Sequence, residues 1–303
     1  MQKTSNHNGV VLFVYNDLGY KLLRLVNRKK IKIHLVITHE DSSNEFIWFS
    51  SCLDYCKKNN LKYLLYEKIN LNELYNKLKN LNISCIFSAY FRKIIPKKII
   101  SLAKNGAINL HGSLLPFYKG RSPVNWQILK DEKVSGVTFH YMNNKPDSGN
   151  IIYQKKILVK KSMTAYQLQI KINNLAIKIA NNNIEKIING KCPSIIQKNK
   201  GSYFGGRKPS DGKINLNDLA INIFNQVRAL SHPFPGAFIY YKRKKIVIES
   251  CSLTNILASS SNKIILSKRK KIFLACKDKC LKINKIRYKN SFYSDKNILN
   301  IIK

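Results

Sequence analysis

One short segment concentrates side chains able to do chemistry. In Gly106-Ala107-Ile108-Asn109-Leu110-His111-Gly112, apolar Ile108 and Leu110 alternate with Asn109 and His111. Alternate residues of a strand share a face, so the amide and the imidazole stand side by side. Gly112 ends the run and puts both at the carboxyl edge of a parallel sheet, where open α/β folds build their sites. Such a pair can orient a carbonyl and handle a proton; taken alone, it could equally be a hydrogen-bonded structural pair. Downstream, Asp147 is hemmed between Pro146 and Ser148-Gly149 in a turn-rich loop. A carboxylate facing His111 would fix the imidazole tautomer and stabilise its protonated form. By itself Asp-Ser-Gly is an ordinary turn. His140, mid-strand, reads as structural, and Ser113 lacks the Gly-x-Ser-x-Gly elbow of a nucleophile.

The elements that must position these side chains alternate strand and helix. Apolar, β-rich runs at Val10–Tyr15, Ile31–Ile37, Lys62–Tyr66 and Ser84–Ala89 predict strands. Helical spacing is found at Tyr20–Asn27, Phe46–Asn59, Leu71–Leu81 and Pro96–Ala103. Repeated βα units imply an α/β, Rossmann-like parallel sheet with helices on both faces. Further strands are expected at Gly136–Met142 and Asn150–Ile157, then a helix over Thr164–Gly190. Only Gly19 follows the first strand, so the dinucleotide fingerprint Gly-x-Gly-x-x-Gly is absent.

Composition changes at the glycine-rich stretch Gly201–Pro209. A helix around Leu216–Ser231 and short strands at Ala237–Tyr241, Lys244–Ser250, Lys263–Ser267 and Lys271–Ala275 predict a small β-barrel or sandwich. We therefore expect a catalytic domain over 1–200 and a β domain over 201–303, with the Lys/Asn-rich end from Lys282 loosely held.

Bulk properties narrow the class. The 303 residues carry 54 Lys+Arg against 16 Asp+Glu, a formal charge of +38. The lysines are spread over the whole length rather than clustered, which reads as compositional bias more than a nucleic-acid surface. No run reaches the ~20 apolar residues of a membrane span, and the polar start from Met1 to Gly9 lacks a secretory signal, so a cytoplasmic protein is expected. Seven cysteines, with Cys52/Cys56 and Cys276/Cys280 far from any His cluster, read as reduced thiols rather than a metal site.

Resemblance then sharpens the chemistry. Asn109 to Pro116 and Tyr118 to Trp126 closely resemble the 10-formyltetrahydrofolate-dependent formyltransferases. Gly136-Val137-Thr138, Asp147-Ser148-Gly149, Tyr203 to Gly212, and Val227 to Ala237 fit the same family in the same order. The resemblance implies a Rossmann-like domain followed by an OB-like barrel, and it matches the catalytic Asn, His and Asp to Asn109, His111 and Asp147. It implies a folate pocket along Ser88, Tyr90, Arg92, Lys93 and Ile94, together with Ser113, Leu114, Leu115 and Pro116. No metal is implied. Arg121, Asn125 and Arg207 are candidates for substrate contacts, with Arg228 a further candidate for an anionic group, although each arginine taken alone is more often a surface or structural residue.

The Gly120–Trp126 stretch looks most like the formyltransferase domain of the UDP-4-amino-4-deoxy-L-arabinose pathway, which favours a nucleotide-linked amino sugar as acceptor. Methionyl-tRNA is the alternative acceptor, although its enzymes usually carry Gly-Ala-Ala-Pro-Ile-Gln where this chain has Gly120 to Asn125. A non-catalytic remnant or binding module is disfavoured by the intact Asn109/His111/Asp147 set. The arabinose-pathway protein often carries a decarboxylase domain. This chain stops at Lys303 without one, suggesting a free-standing enzyme or another amino sugar.

Overall fold

The computed structural model describes residues 8–42, 45–258, 263–266, 271–294 and 296–302. Its first strands and helices are β1 (Gly9–Val14), α1 (Asn16–Arg28), β2 (Ile33–Thr38), α2 (Cys52–Lys58), β3 (Tyr63–Leu65), α3 (Leu71–Leu78), β4 (Ile83–Ala89) and α4 (Lys97–Ile100). There follow β5 (Ala107–His111), β6 (Lys119–Gly120), α5 (Pro123–Leu129), β7 (Val134–Tyr141), β8 (Ile151–Leu158) and α6 (Ala165–Ile188). Every residue of β1 and β4 is buried, as in strands covered on both faces, and β4 carries only Ser84 and Ser88 as polar residues.

All of these strands except β6 form one seven-stranded sheet in the order β3-β2-β1-β4-β5-β7-β8. The first five are parallel, as the βα repeats require, but β7 runs antiparallel to β5. That reversal matters for the site: it sets the middle of β7 against the carboxyl end of β5. Under one face, Val11, Phe13, Leu35, Ile37, Leu74, Leu78, Ile86 and Ile99 pack into a core.

Helix limits differ from expectation where side chains cap the backbone. α2 starts at Cys52, not Phe46, because the Ser51 side chain accepts a hydrogen bond from the Asp54 N–H and sets the N-cap there. α3 begins as expected, fixed by the Asn70–Glu73 capping box, but closes at Leu78.

The later elements are β9 (Tyr203–Phe204), α7 (Ala220–Leu230), β10 (Ala237–Tyr241), β11 (Lys244–Leu257), β12 (Lys263–Leu266), β13 (Ile272–Ala275), β14 (Lys279–Tyr288), β15 (Ser291–Ser294) and α8 (Lys296–Ile302). α7 starts later than its apolar spacing suggests, since Asn215 and Asp218 hold the N–H groups of Asn217 and Leu219 in turns. β10 to β14 make an antiparallel sheet in the order β10-β11-β14-β13-β12, with β15 beside β14. Ser267, the expected end of one strand, lies outside the described residues.

The expectation of a loosely held end from Lys282 is overturned. β14 is a central strand, and Cys280, Leu281, Ile283 and Ile286 are buried. Register shifts in the β11–β14 ladder break the simple alternation that would have revealed this strand among its lysines.

By proximity the chain divides into two compact units. One comprises residues 1–120, 135–157 and 171–203; the other comprises 121–134, 158–170 and 204–303. Among the described residues, no helix is long and apolar enough to cross a membrane. Replacing fully buried Ile286 with Ala should cost about 2–5 kcal/mol in a urea titration, as expected for a core strand. A change below about 0.5 kcal/mol, the surface value, would mark this strand as peripheral.

Candidate active site

Strand register builds the site. Asn109 in β5 pairs with Ser88 of parallel β4 on one side and with His140 of antiparallel β7 on the other. His111 pairs with Thr138. Cross-strand partners share a face, so Asn109, His111 and His140 gather on one side of the sheet, while Ile108 and Leu110 are buried on the other.

Asp147 reaches them from the loop after β7. Its backbone is left-handed, at φ 50°. The loop is pressed against the sheet: a Cβ on Gly149 would lie 1.8 Å from the Tyr141 carbonyl oxygen, so only glycine fits. From the far end of the same unit, Gln197 Nε2 donates to the carbonyls of Asp147 and Gly149, at 3.0 and 2.7 Å.

The carboxylate is the hub. Asp147 Oδ2 accepts the Gly120 N–H at 2.8 Å and lies 3.6 Å from His111 Nδ1. Its Oδ1 accepts from Asn109 Nδ2 at 3.2 Å and lies 3.4 Å from His140 Nε2. Asp147 is 12% exposed. Burial works to raise its pKa, but the His111 charge, the hydrogen bond and charge of His140, and the Gly120 N–H outweigh it. The carboxyl is held well below the usual range. His111 has its second nitrogen engaged as well, since Nε2 donates to the Tyr118 carbonyl at 2.7 Å.

Asn109, His111 and Asp147 are thus brought together as the sequence suggested. His140, read there as structural, stands in the same cluster at 1% exposure. Its signal lay in the antiparallel register, which a single sequence does not display.

The neighbouring segments are firmly held. Ser113 is buried and donates to the Phe117 carbonyl at 2.6 Å, which rules out a free nucleophile. The Leu115 N–H donates to Thr138 Oγ1, and its carbonyl accepts from Gln154. Ser88, near the end of β4, is buried, and Tyr90 in the loop that follows is left-handed. Arg92 makes a two-pronged pair with Glu45, at 2.7 and 2.5 Å, while its backbone N–H donates to His39. Lys93 and Ile94 are exposed, Ile94 by 76%.

Arg121, Asn125 and Arg207 belong to the second unit. Ser122, Asn125, Arg207 and Lys208 help line a cavity of about 160 Å³ there. Asn125 Nδ2 donates to the Ala229 carbonyl, so its amide is partly committed. The Arg207 guanidinium lies 4.8 Å from the Trp126 ring centre, and its Nε is buried without a hydrogen-bond partner. Arg121 packs over Gly206. Arg228 is not available to an anion: it is buried and bonded to Asn225, the Met163 carbonyl and Asp131. All seven cysteines are free thiols, six of them buried, and burial pushes Cys56 and Cys251 up to about 12. Among the described residues, no group of three or more His, Cys, Asp or Glu could hold a metal ion.

A family model described as Formyl transferase matches residues 2–183, and one for the formyl transferase C-terminal domain matches 207–298. The chain belongs to the formyl transferase family.

Within that family, it is 37% identical over 300 residues to the bifunctional polymyxin resistance protein ArnA of Wigglesworthia glossinidia brevipalpis. The match covers 96% of this chain and 45% of that protein, so the chain spans less than half of that relative's length. Its fold is similar to WlaRD, a sugar 3N-formyl transferase crystallised in the presence of dTDP and 5-N-formyl-THF. That match has a TM-score of 0.70 and 26% identity, covering 94% of this chain and 98% of that one. It is similar also to the N-formyltransferase of Helicobacter canadensis in complex with folinic acid and dTDP-3-aminofucose. Here the TM-score is 0.69 with 25% identity, covering 91% and 98% of the two chains.

The depressed Asp147 pKa has a consequence for stability in this formyltransferase-family chain. Its contribution is complete above the unfolded value of about 4 and is lost as the pH falls below it. Asp147→Asn should therefore lower the urea midpoint at neutral pH and flatten its fall on the acid side of about pH 4. Parallel pH curves for the two proteins would contradict this.

Proposed function

We propose that the chain transfers a formyl group from 10-formyltetrahydrofolate to the amine of a nucleotide-linked amino sugar resembling UDP-4-amino-4-deoxy-L-arabinose. One observation carries this reading: Asn109, His111 and Asp147 converge at the carboxyl edge of β5 in a formyl transferase fold. Support for the acceptor class comes from the likeness to ArnA and to two sugar N-formyltransferases crystallised with dTDP or a dTDP-sugar.

The chemistry follows from the groups present. The attacking amine must be neutral, so a base has to take a proton from it. His111 does so, directly or through a water, once its Nε2 exchanges the Tyr118 carbonyl for substrate. Asp147 stays ionised beside Nδ1 and stabilises the imidazolium that forms. Oxyanion character develops on the formyl oxygen, and the Asn109 amide with the protonated His111 are the donors for it. His111 then returns the proton to the departing folate nitrogen, completing the transfer.

In this reading the folate lies along Ser88, Tyr90, Arg92, Lys93, Ile94 and Ser113 to Pro116. Buried Ser113 serves through its backbone; exposed Ile94 offers an apolar surface for a flat ring, and exposed Lys93 a cation for a carboxylate. Arg121, Asn125 and Arg207 contact the acceptor, the unpartnered Arg207 Nε being suited to an anionic group. The catalytic domain is taken as 1–200 and the β domain as 201–303, close to the two family matches, and the enzyme as cytoplasmic.

The purified protein, given 10-formyltetrahydrofolate with a UDP-amino sugar or methionyl-tRNA in parallel, should formylate the sugar alone. Asn109→Ala should lower kcat by about 100- to 1000-fold, the effect of losing one oxyanion donor. Turnover of tRNA alone would reverse the acceptor assignment, and no transfer to either would sink the proposal.

A further inference from the structure

Gln197 runs against its surroundings. It follows Ser194, Ile195 and Ile196, all exposed, yet turns its amide inward, with Oε1 buried. Nε2 donates to the Asp147 carbonyl at 3.0 Å and to the Gly149 carbonyl at 2.7 Å. The partners dictate which way the amide faces: carbonyl oxygens only accept, so the nitrogen must point at them. Oε1 is thereby left without a hydrogen-bond partner among the described residues, an unfavourable arrangement that the two donated bonds must offset.

The residue is itself anchored beside the loop it holds. The backbones of Ile151 and Ile195 exchange bonds of 2.7 and 2.9 Å, and Asn150 Nδ2 donates to Ser194 Oγ at 2.9 Å. Holding the Asp147 carbonyl fixes the plane of the peptide bond that leaves this residue, and so one of the two torsions at the Cα from which the carboxylate hangs. The other torsion is left-handed, at φ 50°, a region that a non-glycine residue keeps where its surroundings impose it. The carboxylate has little room to move. Its Oδ2 accepts the Gly120 N–H at 2.8 Å and already stands 3.6 Å from His111 Nδ1. An outward shift of about 1 Å would break both interactions.

We infer that Gln197 is a positioning residue for Asp147: by holding the carbonyls of Asp147 and Gly149, it keeps the carboxylate within reach of His111 and Gly120. The inference rests on the formyl-transfer reading of the site. Gln197 bonds to backbone oxygens and not to a reacting atom, so it acts through Asp147. That carboxylate matters most when the imidazolium forms, so the effect should appear in kcat and hardly in KM.

Gln197→Met keeps the length and bulk of the side chain and removes both donors. In a variant that unfolds thermally as the wild type does, kcat should fall by about 10- to 100-fold, with both KM values within about 3-fold. Gln197→Glu, of the same shape but without donors when ionised, is the second variant and should lose at least as much. Adding Gln197→Met to Asp147→Asn, where the charge to be placed is already gone, should lower kcat by less than about 3-fold further. Unchanged kcat in the folded single variants, or an equal loss in both backgrounds, would overturn the inference.

A second readout needs no turnover. The Gly120 N–H donates to Asp147 Oδ2, so its hydrogen exchange reports where the carboxylate stands. In Gln197→Met this amide should exchange at least about 10-fold faster, while the amides of β5 keep their wild-type protection. Undiminished protection of Gly120 in the variant would refute the positioning. Should the wild type transfer no formyl group, the functional reading fails by itself, and Gly120 exchange decides whether Gln197 places the carboxylate.

Discussion

A single ionised carboxylate, taken out of water, organises the chemistry of this molecule. Asp147 would be costly to bury alone, and its environment compensates with the Gly120 N–H, the Asn109 amide and two imidazoles. Each of these groups is in turn placed by something larger: Asn109 and His111 by alternation along β5, His140 by the antiparallel pairing of β7, and Gly120 by the segment that follows the Ser113–Pro116 loop. Remove the carboxylate, and these groups still share a face through strand register but lose the acceptor they have in common. The sheet supplies the rigidity, and the carboxylate converts it into the orientation of an amide and an imidazole.

The parallel core and the site depend on different physical signals, which is why they differ in how easily the sequence reveals them. β1 and β4 are legible because strands buried on both faces need mostly apolar runs, and Val10 to Val14 and Ile83 to Ala89, with only Ser84 and Ser88 as polar residues, supply them. Asn109 and His111 are legible because two polar residues interrupt such a run at a spacing of two. His140 has the same kind of position, but its meaning depends on β7 running antiparallel to β5, a fact of pairing that no local pattern encodes. Helix limits were obscured by individual side chains, as when Ser51 captures the Asp54 N–H.

The second unit was harder to read. Its strands carry lysines along the solvent side, and in β14 a shifted register sets Leu281, Ile283 and Ile286 at spacings that a strict alternation rule rejects. Composition there masks a core strand as a polar tail. The lysines are likewise spread along the whole length, so a net charge of +38 is a poor guide to a partner. Arg228 makes the complementary point, since a cation attractive as an anion contact proved to be an internal brace tied to Asp131.

The grip of Gln197 on the Asp147 loop has a bearing on how the protein comes into being. Its amide reaches back to the carbonyls of Asp147 and Gly149, so the loop that carries the carboxylate is fastened by a residue made some fifty positions later. During synthesis, β5 and its Asn109 and His111 leave the ribosome long before that fastening exists. The nascent chain therefore carries the polar side chains of the site without this fastening until translation has passed Gln197. Fastening of the loop is thereby deferred to the closing of the first unit.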